Sequence, residues 1–402
     1  MILCFIQCDI LKMIIKRITL HNWKNFQKCD VKLHERCFIV GANASGKSNF
    51  IDALRFLRDI SKQAGGLQSA VEERGGITKI RCLAARKNPN VSISVELGEP
   101  DTEELTWRYS LDFVHTGGGV IKNQVKIQSE EVYYYPENVY KLNRPRETKE
   151  DEDTLKYTHL EQPNSNREFR PLQTFFQNIE YLNIIPQFVR ESALVTHFGS
   201  KDDYYGRMFL KKIANKNEKT IKSYFKKISD FLVLAVPQFK ELELVKDEMG
   251  VPHLEVRYEH WQTKGGKQQE SQFSDGTLRL IGFLFALIDN SGVTLLEEPE
   301  LNLHSGIVGR IPEFIAKVLR QKKQSRQIIL TTHSYDILSN GGVSADEVLV
   351  LQNTAEGTTV NRVSDLPEIR HIFEAGLSMA DAVIPATKPN HIEKMSQYSL
   401  FP

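Results

Sequence analysis

Two kinds of apolar pattern divide this chain. Short unbroken runs, Cys37-Phe38-Ile39-Val40, Val293-Thr294-Leu295-Leu296 and Ile328-Ile329-Leu330, predict strands covered on both faces, as in a parallel sheet. A further strand is predicted near 347–352. Alternating or β-rich runs at 14–20, 29–33, 91–97, 105–114 and 120–135 predict a second, antiparallel sheet. Helical spacing starts at Asn49 and runs to about Ser61, and returns at 278–288 and 306–319. Phe175, Phe176, Ile179, Leu182, Tyr224, Phe225, Ile228, Phe231 and Leu232 mark a helical lobe over 171–235. Residues 136–170 are charge-dense and lack periodic apolar positions, which predicts an exposed, mobile insertion.

The chemistry stands where the apolar runs end. Gly41-Ala42-Asn43-Ala44-Ser45-Gly46-Lys47-Ser48 follows the first run and fits the phosphate-loop pattern G-x-x-x-x-G-K-[ST] at every fixed position, with Asn49 opening the helix. Such a loop turns backbone N–H groups toward phosphates at a helix N-terminus. Lys47 would reach the terminal phosphates, and the Ser48 hydroxyl would bind Mg²⁺. The second run ends in Glu297-Glu298-Pro299-Glu300. Glu297 is expected in the Mg²⁺ shell and Glu298 as the carboxylate that polarises the attacking water. The third run leads into Thr331-Thr332-His333-Ser334, which puts His333 within reach of the γ-phosphate. Ser274-Asp275-Gly276, before the helix that precedes the acidic strand, offers another anion-binding helix end, and Ser274 or Asp275 can also cap that helix.

Composition changes this picture little. Lys plus Arg total 52 and Asp plus Glu 51 over 402 residues, so any nucleic-acid contact must be a local patch. Lys211, Lys212, Lys216, Lys219, Lys222, Lys226 and Lys227 form one basic cluster, and Arg320, Lys322, Lys323 and Arg326 a second. Both are read as solvated faces first and as DNA-phosphate contacts second. Five cysteines without a C-x-x-C pair fit a reduced, cytoplasmic protein. No apolar run reaches membrane-spanning length. Met13 precedes the first strand, and residues 1–12 are expected to carry little structural weight.

The order of phosphate loop, S-D-G-T, L-L-E-E-P-E and T-T-H-S resembles the ABC-type ATPases of the SMC, RecF and OLD kind, and most of all their AAA-type "predicted ATPase" branch in bacteria. The resemblance covers 13–62 and 271–352. It implies an α/β P-loop NTPase: a mixed or parallel sheet core, an antiparallel β subdomain, and a helical lobe inserted between the phosphate loop and the signature. The expected units are 1–135, 136–270 and 271–402. It further implies a homodimer, or a higher homo-oligomer, with ATP and Mg²⁺ held between one subunit's Gly41–Ser48 and the other's Ser274–Gly276. Lys24, in Asn22-Trp23-Lys24-Asn25-Phe26, falls where a basic residue often meets the nucleotide. The chain departs from the wider pattern at Glu297, where Asp is commoner, and at Ala44, where Gly is usual. Lys47 and Ser274 lie 227 positions apart, too far for a transporter cassette, and the interval has neither sustained heptads nor a C-x-x-C hook. The 68 residues after Ser334 are too few for the nuclease domain of OLD-type proteins. By this resemblance the protein is a sensor and scaffold in anti-phage or plasmid defence, with a toxin or nuclease supplied in trans. The alternatives are a RecF-like DNA-repair ATPase and a slowly turning-over ATP-binding scaffold.

Overall fold

A computed structural model describes residues 13–388, apart from 64, 86–87, 117–123, 145–150, 192–204, 260–265, 290–291 and 321–324. Residues 1–12, the beginning of the 120–135 run and the pair Lys322 and Lys323 lie outside the described residues.

The chain opens with β1 (Ile14–Trp23), β2 (Phe26–Lys32) and β3 (Arg36–Gly41), followed by helix α1 (Lys47–Ile60). Strands β4 (Val91–Gly98), β5 (Leu105–His115), β6 (Val125–Tyr134) and β7 (Val139–Arg144) come next. They pair with the first two in an antiparallel sheet ordered β2-β1-β4-β5-β6-β7. After the short strand β8 (Glu180–Leu182) comes helix α2 (Glu218–Ala235), then a small sheet of β9 (Phe239–Lys246), β10 (Pro252–Tyr258) and β11 (Lys267–Gln269). Helix α3 (Asp275–Asp289), β12 (Val293–Glu297), helix α4 (Ile311–Arg320), β13 (Gln327–Thr331), β14 (Val348–Thr354) and β15 (Gly357–Arg362) complete the frame.

The central sheet runs β15-β14-β3-β13-β12-β8, parallel throughout except for the edge pair β14–β15. Its strands alternate between two cores. Cys37, Ile39, Val293, Leu295, Ile329 and Leu349 face α1 and the antiparallel sheet. Phe38, Val40, Leu296, Ile328, Leu330 and Val350 face α2, α3 and α4. Burial on both faces is why these strands read as unbroken apolar runs.

Three expectations change. The helical lobe over 171–235 is shared between the two cores. Phe175, Phe176 and Ile179 pack with the antiparallel sheet, whereas Phe225, Ile228 and Leu232 pack on the opposite side. Helical spacing alone does not say which surface a helix meets. The helix predicted over 306–319 is two helices, Ser305–Val308 and Ile311–Arg320, with Pro312 in the first turn of the second.

The described part of 136–170 is tied down by buried charge. Glu130, on β6, is fully buried and accepts hydrogen bonds from Arg144 Nη1 (3.1 Å), His159 N (2.8 Å), Leu160 N (3.2 Å) and the Tyr109 hydroxyl (3.2 Å). Glu161 accepts from Thr158 N at 2.7 Å and stands so close to Gly66 that a Cβ there would collide with its carboxylate. Buried carboxylates with several donors replace the missing apolar positions as anchors.

Candidate functional site

The phosphate loop leaves β3 and ends at α1, with Ala44 at φ 61° and Gly46 at φ 97°, ψ 18°. These two left-handed residues turn the loop's N–H groups inward, the concave arrangement that binds anions. Ser45 N donates to Ala42 O (3.1 Å), and Phe50 N to Gly46 O (2.9 Å). Asn43 and Ser48 are exposed. Lys47 is buried, and its ammonium donates to Gly41 O (3.1 Å) and Ala42 O (3.2 Å). Among the described residues no carboxylate forms an ion pair with it. Burial lowers its pKa, while Glu298, Glu297 and Glu300 pull it back up. The Ser45 hydroxyl is buried without a hydrogen-bond partner among the described residues. A cation and a hydroxyl left this way, under inward N–H groups, fit a multiply charged phosphate chain.

The loop is clamped from behind. Asn25, in the turn between β1 and β2, donates to Ser45 O (3.0 Å) and to Thr358 Oγ1 (2.6 Å). The Thr358 hydroxyl, on β15, donates to the same Ser45 carbonyl at 2.9 Å. Asn49, expected at the nucleotide, donates its amide to Asn25 Oδ1 (2.8 Å). A Cβ on Gly46 would come within 2.0 Å of the Asn25 amide, so both its φ and its neighbour require glycine. Thr358 has no sequence signal, since it lies far beyond every motif.

Lys24, also expected at the nucleotide, pairs with Asp52 on α1 at 2.6 Å. Asp52 takes Arg74 as well (3.0 Å), and Arg74 reaches on to Asp59 at 2.8 Å. Burial opposes charge on Asp52, yet Arg74 and Lys24 hold its pKa below the usual carboxylate value. Lys24 therefore belongs to a charge ladder that fixes α1 behind the loop.

At the end of β12, Glu297 Oε2 accepts from the Tyr181 hydroxyl at 2.9 Å. Burial and the neighbouring Glu297 raise the Tyr181 pKa, and the Arg55 guanidinium lies 4.3 Å from the centre of its ring. Tyr181 comes from β8, beside β12 in the sheet, a neighbour that spacing along the chain did not reveal. Among the described residues, no group of three or more His, Cys, Asp or Glu side chains could hold a metal alone. Ser48 and Glu297 would complete a Mg²⁺ shell only together with phosphate oxygens.

Glu298 takes φ 41°, and its N–H donates to Thr331 O (3.1 Å) and Oγ1 (3.2 Å). Its Oε1 lies 3.4 Å from His333 Nε2. Burial lowers the His333 pKa and the Lys47 charge lowers it further, against the pull of Glu298. Glu300 accepts from the Thr332 hydroxyl (2.5 Å) and His333 N (3.3 Å). The ends of β3, β12 and β13 thus bring Lys47, Glu298 and His333 to one place, electrostatically coupled.

Ser274 caps α3, its Oγ accepting from Thr277 N at 3.2 Å. Asp275 pairs with Arg190 (2.6 Å), which also donates to Phe273 O at 2.7 Å. Gly276 packs so close to Asn302 O that a Cβ would stand 2.4 Å away. Among the described residues, no hydrogen bond or ion pair joins Ser274, Asp275 or Gly276 to Gly41–Ser48. Arg279, one turn into the same helix, is nonetheless in electrostatic reach of Glu298 and Glu300 as well as of Asp275.

The basic clusters are partly spoken for. Lys212 and Lys216 pair with Asp289, Lys212 also with Glu180 (3.0 Å), and Lys222 with Glu218 (2.6 Å). Arg326 is buried and donates to Leu287 O and Ile288 O, satisfying the carbonyls at the end of α3. It is a helix cap and is removed from the expected phosphate contacts. Lys219, Lys226 and Lys227 are exposed, with no ion pair among the described residues.

Fold and loop geometry together define an ABC-type P-loop ATPase head of the SMC kind. The family described as "AAA domain, putative AbiEii toxin, Type IV TA system" matches residues 37–339, and the chain belongs to it. The "P-loop containing region of AAA domain" matches 15–58. Comparison with curated proteins finds no match. The Smc head domain of Pyrococcus furiosus, solved with an extended coiled coil and bound to the C-terminal domain of ScpA, is similar at TM-score 0.50 and 14% identity. The match covers 90% of this chain and 99% of that one. An Smc head bound to the C-winged helix domain of ScpA matches at TM-score 0.50 and 16% identity, over 86% of this chain and 97% of that one. At such identities the likeness is one of fold.

Proposed function

We propose that this protein hydrolyses ATP with Mg²⁺ in sites shared by two copies of the chain, and serves as sensor and scaffold in bacterial defence, with an effector supplied by another protein. The observation that carries the hydrolysis is Glu298 at 3.4 Å from His333, both coupled to an otherwise unpaired Lys47. Lys47 and the inward N–H groups of Ala44, Gly46 and Lys47 bind and orient the terminal phosphates. Glu298 takes the proton of the attacking water, and His333, kept neutral by burial and by Lys47, orients Glu298 against the phosphate. Bound Mg²⁺, held by Ser48 and Glu297, would neutralise charge on the phosphate oxygens. That no hydrogen bond or ion pair joins Ser274–Gly276 to the loop, among the described residues, supports completion by a second copy. The toxin–antitoxin description of the matched family supports a defence role with a second component.

Glu298→Gln should slow turnover by about 100-fold or more while keeping ATP bound, and Lys47→Ala should abolish binding. In light scattering, Glu298→Gln with ATP should be at least dimeric and Lys47→Ala smaller. Equal masses in every condition would sink the shared site, and normal turnover by Glu298→Gln would sink the assigned base. The exposed, unpaired Lys219, Lys226 and Lys227 favour a second reading as a DNA-repair ATPase. Steep salt dependence of duplex binding, with DNA-stimulated turnover, would decide for it.

A further inference from the structure

Glu300 is not assigned by the phosphate-loop chemistry, yet it joins the two loops that carry it. Its Oε1 accepts from Thr332 Oγ1 at 2.5 Å and from the His333 amide at 3.3 Å. Thr332 Oγ1 in turn accepts from Ser334 N at 2.9 Å. The Thr332 amide donates to Ile39 O on β3 at 3.0 Å. The other oxygen of Glu300, Oε2, is buried without a hydrogen-bond partner among the described residues. An apolar side chain would fill that place without the cost of an unpaired buried oxygen. It could not hold the His333 amide.

We propose that Glu300 is a positioning residue for hydrolysis, tethering the His333 loop to the Glu298 loop so that the two side chains stay in contact. The inference rests on the ATPase reading above. Glu298 is fixed through its N–H to Thr331, on the strand side of His333. Ser334 is anchored separately, its Oγ accepting from Ile337 N at 3.3 Å. Without Glu300 it is Thr332 and His333 that loosen: among the described residues they keep the Ile39 link, the Thr332–Ser334 hydrogen bond and the His333–Glu298 contact itself. A shift of about 1 Å is enough to spoil reacting geometry. Burial also raises the pKa of the Glu300 carboxyl, against the hydrogen bonds from Thr332 and His333. The amide oxygen of Gln can accept the same two hydrogen bonds, so Glu300→Gln keeps the tether while removing the charge that also acts on Lys47.

Glu300→Ala should lower kcat by about 10–100-fold, the scale for losing an outer-shell partner, with the Kd for ATP unchanged. Glu300→Gln should restore most of the rate. Glu300→Ala combined with His333→Ala should be no slower than His333→Ala alone, because the tether acts through that ring. Amide hydrogen exchange of Thr332 and His333, read without nucleotide, should quicken in Glu300→Ala and stay slow in Glu300→Gln. If Glu300→Ala does not fold, Thr332→Val removes the hydroxyl at nearly constant volume and should give the same loss in kcat. Unchanged exchange, a kcat within twofold of the parent's, or additive losses in the double variant would overturn the proposal. A parent that hydrolyses nothing, with exchange still responding to Glu300→Ala, would overturn the ATPase reading and leave the tether standing.

Discussion

Ala44 holds φ 61° in a loop where glycine would do so without strain. A Cβ in the left-handed region costs about 1–2 kcal/mol, partly offset by the greater chain entropy glycine loses on folding. Ala44→Gly should therefore stabilise the protein by about 0.5–1 kcal/mol, read as a higher urea midpoint at an unchanged m-value. Lower stability would mean that the methyl makes a contact outweighing the strain. Glu298, at φ 41°, is held in the same region by two hydrogen bonds to Thr331, so its backbone direction is set by β13 as much as by its own strand. Convergence at this scale was legible wherever residue type and strand end coincided, since Lys47, Glu298 and His333 do come to one place. Lys24 and Asn49, expected at the nucleotide, each have a partner within the chain that sequence position does not show, Asp52 and Asn25.

Strands β3, β12, β13 and β14 were legible because two covered faces leave an apolar signature, α1 by its spacing and α3 by its cap and spacing, whereas β8 lies inside the stretch read as a helical lobe. The ordering of 151–170 was not, since its buried apolar residues, Leu160 and Phe169, are too few to show a period and its other anchors are polar. Glu161 shows how such an anchor responds to pH. Burial raises its pKa from 4.5 to about 7, against hydrogen bonds from Thr158 and Leu67. A carboxyl raised on folding contributes stability that is full below the unfolded value of 4.5 and is lost as pH rises through about 7. Glu161→Gln should thus flatten the fall in stability between those limits and gain relative to the parent at pH 8, in urea titrations across pH. Parallel curves for the two proteins would mean that the carboxyl is ionised throughout. The sheet β9–β11 escaped notice although Pro252, Leu254 and Val256 alternate as buried positions along its central strand β10, whereas β15 is a six-residue edge strand with only Thr358 and Val360 buried.

Across the whole molecule, the phosphate loop depends on parts far from it in sequence. Thr358→Val keeps the shape of the side chain but removes the hydroxyl between Ser45 O and Asn25. The loss of about 1 kcal/mol for one hydrogen bond should weaken ATP binding by about fivefold. Calorimetric titration would show it, with melting little changed. An unaltered Kd would free the loop from β15. The charge ladder from Lys24 through Asp52 and Arg74 to Asp59 does the same for α1, joining the β1–β2 turn to the segment after the helix.

Asn25 and Thr358 lie 333 positions apart, and both grip Ser45. A nascent polypeptide thus cannot finish its triphosphate cradle when that motif leaves the ribosome. The clamp on Ser45 closes only once residue 358 has been synthesised. A fragment released before that point would carry the whole motif on a loop gripped by Asn25 alone.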